Sequence, residues 1–362
     1  MFDKQCRFFY RSRVACCGNQ ILTDDGGVRM SASSTATNFP LTTLRVAITG
    51  ENNIYNFYDK ALGRHRDVNN QPDKMSAAEY SKIAKAAGEA GIDRILIAGC
   101  EPLLRKDVSA VVKALSSSKK VQEVRFVTNG VFLKDCADSL RRVGLKHLEI
   151  NLDSLNFIVY QKISRRDGLY RVLDGLQKSE RIHFDSLTLN VIIMRGINER
   201  ELIDFAILTK TKQLHLRFLE YNIFDETQAS KQLHYPMVQA KHTIQDFQQL
   251  IADGIEGTEV YRFKEAQGTI SFADLKSSHL NFNQPGLFLD SQGILHTNYQ
   301  PSRQINILKE FDKDAPEERI AKVLQRAMLP LMPPSTRVLV APNKAAAQKR
   351  RVGRGKASQA QL

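Results

Sequence analysis

The chain has 362 residues, of which 42% are apolar and 25% charged, values typical of a globular protein of about two domains. Its five cysteines have no regular spacing, which excludes a disulfide scaffold and favours a reducing compartment. The longest apolar runs fall well short of the roughly 18 residues needed to cross a bilayer. The sequence therefore predicts no membrane span.

The net charge of +13 is concentrated at the C-terminus, where residues 336–362 carry seven Lys or Arg and no acid. Such a segment cannot bury enough apolar surface to offset the entropy cost of ordering, so we expect a basic disordered tail. Its simplest role is solubility. Recruitment of nucleic acid or a protein partner is the alternative, and the rest of the chain gives no reason to expect a nucleic-acid groove.

Residues 1–40 predict a poorly ordered extension. Arginines and a Ser-rich stretch resemble a transit peptide, whereas three aspartates argue against one, and Met30 could be the true start. We expect a cytoplasmic protein, or a mitochondrial matrix protein if the extension is a transit peptide.

From residue 41 to 256 the sequence alternates β-rich runs with helical spacing. The predicted strands are 44–49, 94–98, 123–128, 147–151, 187–193 and 215–219. The predicted helices are 77–90, 107–117, 133–143, 168–178, 199–209 and 243–253. Continuously apolar strands between helices belong in a parallel sheet, so the sequence predicts the α/β class and a partial (β/α)6 barrel of the TIM-like kind.

After residue 257 the pattern changes to short strands with turn residues, at 286–289 and 294–297, and to one helix over 317–328. We expect residues 257–335 to form a capping domain over the barrel. In a parallel barrel the chemistry lies at the C-terminal ends of the strands.

Polar motifs follow several predicted strands: EPLLRKD from Glu101, TNGVFL from Thr128, LDSL from Leu152 and RFLEY from Arg217. Together with ISRRDGLYRVLDGL and MRGIN they resemble the GTP 3′,8-cyclase (MoaA) family of radical SAM enzymes, over roughly residues 38–332. The resemblance implies a radical SAM fold. It also implies a family in which three thiolates hold a four-iron cluster that binds S-adenosylmethionine.

The sequence departs from that family at every cluster ligand. Asn52, Asn56 and Asp59 stand at the three thiolate positions, and hard oxygen donors do not replace soft thiolates at iron and sulfide. The second cluster's positions align with Asn281, Gln284 and Asn298. We therefore expect a degenerate member with no 4Fe-4S cluster and no metal, although an oxygen cage for Mg or Ca at the first three positions stays open.

Positions that contact S-adenosylmethionine in the family are better kept, and the resemblance implies a cofactor site made of Tyr58, Gly99, Cys100, Glu101, Thr128, Asn151, Asn190, Arg217 and Asn222. We expect the nucleoside contacts to persist and the methionyl contacts to weaken, and we interpret Cys100 as a small buried hydrophobe. The family's cationic GTP contacts align with Glu51, Leu96, Thr188, Gly286 and Phe288, so we expect triphosphate recognition to be lost.

Three functions stay open. The first is a pseudoenzyme that binds S-adenosylmethionine or another nucleoside and serves as a regulatory partner. The second is an enzyme with non-radical chemistry, although His215, His279 and His296 have no evident partners in the sequence. The third is a scaffold with a recruiting tail. Alternatively, Glu101, Arg217 and Glu220 form a purely structural network in which Arg217 compensates both carboxylates.

Overall fold

The computed structural model describes residues 43–59, 73–222, 231–253, 259–297 and 303–331. The predicted extension 1–40, the tail 336–362 and Asn298 lie outside the described residues, so their predictions stay untested.

Six parallel strands lie side by side in chain order, and alternate with helices as predicted. This arrangement confirms the α/β class. The strands are β1 (Thr43–Val46), β2 (Arg94–Ile97), β3 (Glu123–Thr128), β4 (His147–Asn151), β5 (Ser186–Ile193) and β6 (His215–Glu220).

The helices of this series bury one face each against the strands. In the first, the side chain of Ser76 accepts from the backbone N of Glu79 while the Glu79 carboxylate accepts from Ser76 N, a capping box that fixes where the helix begins. The helices are α1 (Ala77–Glu89), α2 (Val108–Leu115), α3 (Leu133–Arg142), α4 (Phe157–Ser164), α5 (Leu169–Ile182), α6 (Leu202–Thr211) and α7 (Met237–Phe247).

The C-terminal part extends the same sheet on both sides. β9 (Thr269–Asp274) pairs parallel with β6, and β8 (Val260–Phe263) follows it; β10 (Leu287–Leu289) pairs parallel with β1. β11 (Ile294–Thr297) and β12 (Arg303–Asn306) continue that side as antiparallel strands. The sheet is therefore continuous across the predicted boundary at residue 257.

One helical prediction was wrong in detail, and one helix was missed. The predicted helix 243–253 is displaced: α7 begins at Met237, directly after Pro236, and the apolar run Leu250–Ala252 is instead a strand, β7, paired antiparallel with β8. The helix α4 was not predicted, because its eight residues follow closely on the strand-end motif. The last helix, α8 (Pro316–Met328), matches its prediction and packs against α1.

Because β1 to β6 are parallel, their C-terminal ends and the segments that follow them meet at one edge of the sheet. No helix in the described ranges is both long and apolar enough to cross a membrane.

Candidate functional site

A pocket that is partly open to solvent lies where the segments after β1, β2, β3 and β4 meet. Six of the nine predicted cofactor-site residues line it: Tyr58, Gly99, Cys100, Glu101, Thr128 and Asn151. Asn190, Arg217 and Asn222 do not line it. Three of the four strand-end motifs, those that begin at Glu101, Thr128 and Leu152, thus converge on a single cavity, and RFLEY does not.

Glu101 is the most deeply buried carboxylic acid of the described pocket wall. It is 1% exposed and accepts hydrogen bonds from the backbone N of Leu103 at 2.9 Å, from Asn129 N at 2.8 Å and from the Thr128 hydroxyl at 2.7 Å. Burial nevertheless raises the pKa of Glu101 to about 7, against the lowering effect of these donors. The group can therefore exchange a proton near neutral pH.

The three residues that the resemblance places at thiolate positions, Asn52, Asn56 and Asp59, also line the pocket, and their side chains form hydrogen bonds within their own loop. Asp59 accepts from Asn56 N at 2.9 Å and from Asn56 Nδ2 at 3.4 Å, and Asn52 Oδ1 accepts from Ile54 N at 3.3 Å. The segment is tied to the end of α4, because Tyr55 N and Phe57 N donate to the carbonyls of that helix's last turn.

These residues do not fit an iron–sulfur cluster. Amides and a carboxylate are hard donors, and the only thiol in the described wall, Cys100, has its pKa raised by burial to about 11 and stays protonated. No group of three His, Cys, Asp or Glu that could hold a metal ion occurs among the described residues. Cys100, predicted as a small buried hydrophobe, is half-buried and lines the cavity.

Hydrogen bonds from its own side-chain amides and from a buried arginine hold the segment 276–284, to which the resemblance assigns the second cluster. The side chains of Asn281 and Gln284 both donate to the carbonyl of Lys276, the former at 2.7 Å. Arg45, 2% exposed on β1, donates to the carbonyl oxygens of Asn281 at 3.0 Å and Gln284 at 2.9 Å. Its guanidinium also lies 5.5 Å from the ring centroid of Phe282.

Apolar side chains take the space that the resemblance assigns to cationic GTP contacts. Phe288 is 8% exposed and packs edge-on against Phe282, with ring centroids 5.4 Å apart. Phe282 and Leu280 in turn line the pocket. At Gly286 a Cβ atom would lie 2.9 Å from Arg45 Nη2, so the arginine needs glycine there.

A second polar cluster, centred on Glu149, lies beneath the pocket. Glu149 is fully buried on β4 and meets Arg125 Nη1 at 3.0 Å, Arg217 Nη1 at 3.2 Å, Asn190 Nδ2 at 2.9 Å and His279 Nε2 at 2.7 Å. Burial alone would raise the pKa of Glu149, but the neighbouring His279 and Arg217, with Arg125, hold it well below its usual range.

The Glu149 cluster is connected to the pocket wall by hydrogen bonds of the Asn190 side-chain amide. Asn190 Nδ2 donates to Asn151 Oδ1 at 3.1 Å, and Arg217 Nη1 donates to Asn190 Oδ1 at 3.0 Å. Asn190 and Arg217 are therefore positioning residues behind the wall. Asn222 is different, since it joins the ends of β6 and β9 by bonding Asp274 and the backbone N of Lys276.

The predicted partners of Arg217 were wrong. The described contacts of Arg217 are with Glu149 and Asn190, whereas Glu220 accepts from Met237 N at 2.8 Å and lies 2.8 Å from His234 Nε2. Each of the three histidines also has a partner, and His279 contacts Glu149. His215 lies beside the hydroxyls of Thr269 and Ser271, and His296 lies beside the carboxylate of Asp290.

Sequence reasoning missed Glu149 and Arg125, and it found no partner for His279. A signal was present, since Glu149 stands between Leu148 and Ile150 at the centre of the strand HLEIN, and a buried carboxylate requires a cationic or hydrogen-bonding partner. The partner His279 is 130 residues away, which no local pattern reveals.

Comparison with known proteins gives the class. The radical SAM superfamily model matches residues 57–208. Streptococcus suis SuiB, in a crystal structure bound to S-adenosylmethionine, has a TM-score of 0.51 at 14% identity, over 80% of this chain and 68% of its own; this likeness concerns the fold.

Two curated relatives are GTP 3′,8-cyclases. The protein of Moorella thermoacetica is 30% identical over 296 residues, 79% of this chain and 89% of the relative. That of Listeria welshimeri is 33% identical over 64% of this chain and 72% of its own length. The chain therefore belongs to the radical SAM superfamily and, within it, to the GTP 3′,8-cyclase family.

Proposed function

We propose that this protein is a pseudoenzyme of its family, which binds S-adenosylmethionine or another nucleoside without radical chemistry and acts as a regulatory partner. The observation that carries the proposal is one cavity that combines two features. The strand-end motif Gly99, Cys100 and Glu101 remains, while Asn56 and Asp59, at former thiolate positions, bond each other.

The residues present fit part of S-adenosylmethionine. Apolar and aromatic side chains, among them Tyr58, Leu280 and Phe282, suit an adenine ring, and the amides of Asn52 and Asn151 suit its polar edge and the ribose. The methionyl group would lack the iron that holds it in the family. We therefore expect weak binding of S-adenosylmethionine, with the nucleoside supplying most of the affinity.

Native mass spectrometry of the protein purified from its own cells, followed by calorimetry with S-adenosylmethionine and adenosine, tests the proposal. We expect a nucleoside-sized ligand and heat that disappears in Asn151→Leu, a variant that fills the pocket wall. Ile158→Ser, at an exposed position of α4, is the matched control and should bind normally. No heat at millimolar concentrations with either ligand would contradict nucleoside binding.

The pKa of Glu101, about 7, favours a second candidate, an enzyme with non-radical acid–base chemistry in the same pocket. Incubation of the protein with the ligand found by mass spectrometry, followed by analysis for a new product, separates the two. A product that forms with the wild type and not with Glu101→Gln favours an enzyme, whereas an unchanged ligand favours the pseudoenzyme.

The proposed regulatory role also concerns the binding partners of the protein and the compartment in which it works. A protein partner fits a regulatory role, with nucleic acid contacted only through the basic tail and no membrane involved. A scaffold that works through residues 336–362 would be recognised by a truncation that keeps ligand binding and loses the partner. We propose a cytoplasmic location.

A further inference from the structure

We propose that the outward face of the helix α4 is the docking surface for an acidic, partly apolar segment of a protein partner. The inference rests on the proposed role as a regulatory partner, and it adds where the partner binds and by what chemistry. It does not depend on what the pocket holds, because the docking surface lies on the other side of the helix.

The helix α4 has two different sides. Its buried side chains Tyr160, Ile163 and Ser164 line the pocket. The opposite side is exposed, and its residues recur every three or four positions, as one side of a helix requires. We call this side the outer α4 face; it consists of Ile158, Gln161, Lys162 and, at the end of the helix, Arg165.

Apolar side chains are open to water on and beside the outer α4 face. Ile158 is 75% exposed, the largest value of any large apolar side chain among the described residues. Tyr170, on the first turn of α5, is 69% exposed and stacks on Phe157 of α4, with ring centroids 6.0 Å apart. Neighbouring exposed apolar and aromatic side chains mark a surface that binds another molecule.

The charge of this surface is positive. Residues 156–171 carry four Lys or Arg and a single acid, Asp167. No salt bridge within the described residues involves Lys162, Arg165 or Arg166. The Arg166 guanidinium lies 5.9 Å from the ring centroid of Tyr55, a contact with an uncharged group. The surface therefore presents three cations that a partner's carboxylates can pair.

Arg165 keeps a side chain where glycine would be easier. It ends α4 with φ 55° and ψ 21°, in the left-handed region, where a Cβ atom costs free energy and glycine is the usual residue. Nothing described within the chain offsets that cost through an ion pair. A strained and exposed arginine is explained if its guanidinium contacts another molecule.

Charge complementarity selects the occupant. Residues 336–362 of the same chain carry seven Lys or Arg and no acid, so the outer α4 face repels them. Nucleic acid fits less well, because Ile158 has no ring on which a base can stack and the ring of Tyr170 already stacks on Phe157. An acidic segment with apolar or aromatic side chains matches both the cations and the apolar surface.

Fluorescence anisotropy on the full chain tests the proposal, with a labelled random copolymer of Glu and Tyr as the probe. Poly-Glu of the same length and oligo-dT of the same charge are the comparisons. We expect the copolymer to bind several-fold more tightly than poly-Glu. The triple variant Lys162→Glu, Arg165→Glu and Arg166→Glu should bind the copolymer about tenfold more weakly than the wild type.

The matched control makes the same change of net charge at exposed positions away from the face: Lys85→Glu, Lys113→Glu and Lys119→Glu. It should weaken copolymer binding by less than about twofold. Arg165→Gly separates binding from stability. Because glycine relieves the left-handed backbone, this variant should melt no lower than the wild type and still bind the copolymer several-fold more weakly.

Equal losses of affinity in the two triple variants, or equal affinities for copolymer and poly-Glu, would overturn the inference, because net charge alone would then explain binding. Oligo-dT that binds as tightly as the copolymer and depends on the same three cations would assign the face to nucleic acid instead. Circular dichroism checks that each variant folds. Adenosine binding without copolymer binding overturns this inference alone, and copolymer binding without adenosine binding overturns nucleoside binding alone.

Discussion

Three hydrogen bonds join Asn56 and Asp59: the backbone N of Asn56 donates to Oδ2 of Asp59 at 2.9 Å, Asn56 Nδ2 donates to Oδ1 at 3.4 Å, and Asp59 N donates to the carbonyl oxygen of Asn56 at 3.0 Å. Both residues stand at positions to which the resemblance assigns iron-binding cysteines. Hydrogen bonds within the loop 52–59 therefore hold it in place. The loop forms one wall of the pocket, and the strand-end motif Gly99, Cys100 and Glu101 also lines that pocket.

Arg217→Ala should destabilise the protein by about 2 to 4 kcal/mol, because it removes one cationic partner of the fully buried Glu149. His279 and Arg125 remain, which limits the loss. Urea unfolding measures it. Lys134→Ala, which removes a salt bridge between two exposed side chains, should leave the free energy of unfolding nearly unchanged. Equal losses of unfolding free energy in the two variants would show that the Glu149 cluster stabilises the fold no more than an exposed salt bridge does.

Arg45→Met should cost about 2 to 4 kcal/mol, because the carbonyls of Asn281 and Gln284 lose their buried donor. The segment 276–286 should also become more sensitive to limited proteolysis. Arg200→Met replaces an exposed arginine and is the control. A digestion pattern that matches the wild type would mean that Arg45 does not hold this segment in place.

The stability should depend on pH through Glu101, whose pKa is about 7 in the folded chain against an ordinary 4.5. A raised pKa means that the folded state holds the proton more tightly. The stabilisation is therefore complete below about pH 4.5 and is lost as the pH rises through 7. Between pH 5 and 8 the wild type should lose up to about 3 kcal/mol relative to Glu101→Gln. Parallel stability curves for the two proteins would argue against this pKa.

The protein should not convert GTP, since the resemblance places Leu96, Thr188, Gly286 and Phe288 at the family's cationic contacts, and the described residues contain no group of three His, Cys, Asp or Glu that could hold a metal ion. It should fail to rescue a strain that lacks its GTP 3′,8-cyclase, while the enzyme of a relative rescues it. Rescue by this chain alone would mean that the assignment of the site is wrong.

The alternation of strands and helices was predictable because continuous apolar runs and helical spacing are local signals. The convergence of Gly99, Glu101 and Asn151 on one edge follows from the parallel order. The Glu149 cluster was not predictable in detail, because its members come from three further strands and a distant loop. The strand β7 was missed for the same reason, since its three residues become a strand only through their pairing with β8.

Iron uptake tests the central claim most directly. The wild type and a variant with Asn52→Cys, Asn56→Cys and Asp59→Cys are reconstituted anaerobically with iron and sulfide, and iron per chain is measured after gel filtration. We predict no stoichiometric iron in the wild type and about four irons in the triple variant, because only thiolates at these positions complete the cluster site. About four irons per chain in the wild type would contradict the account.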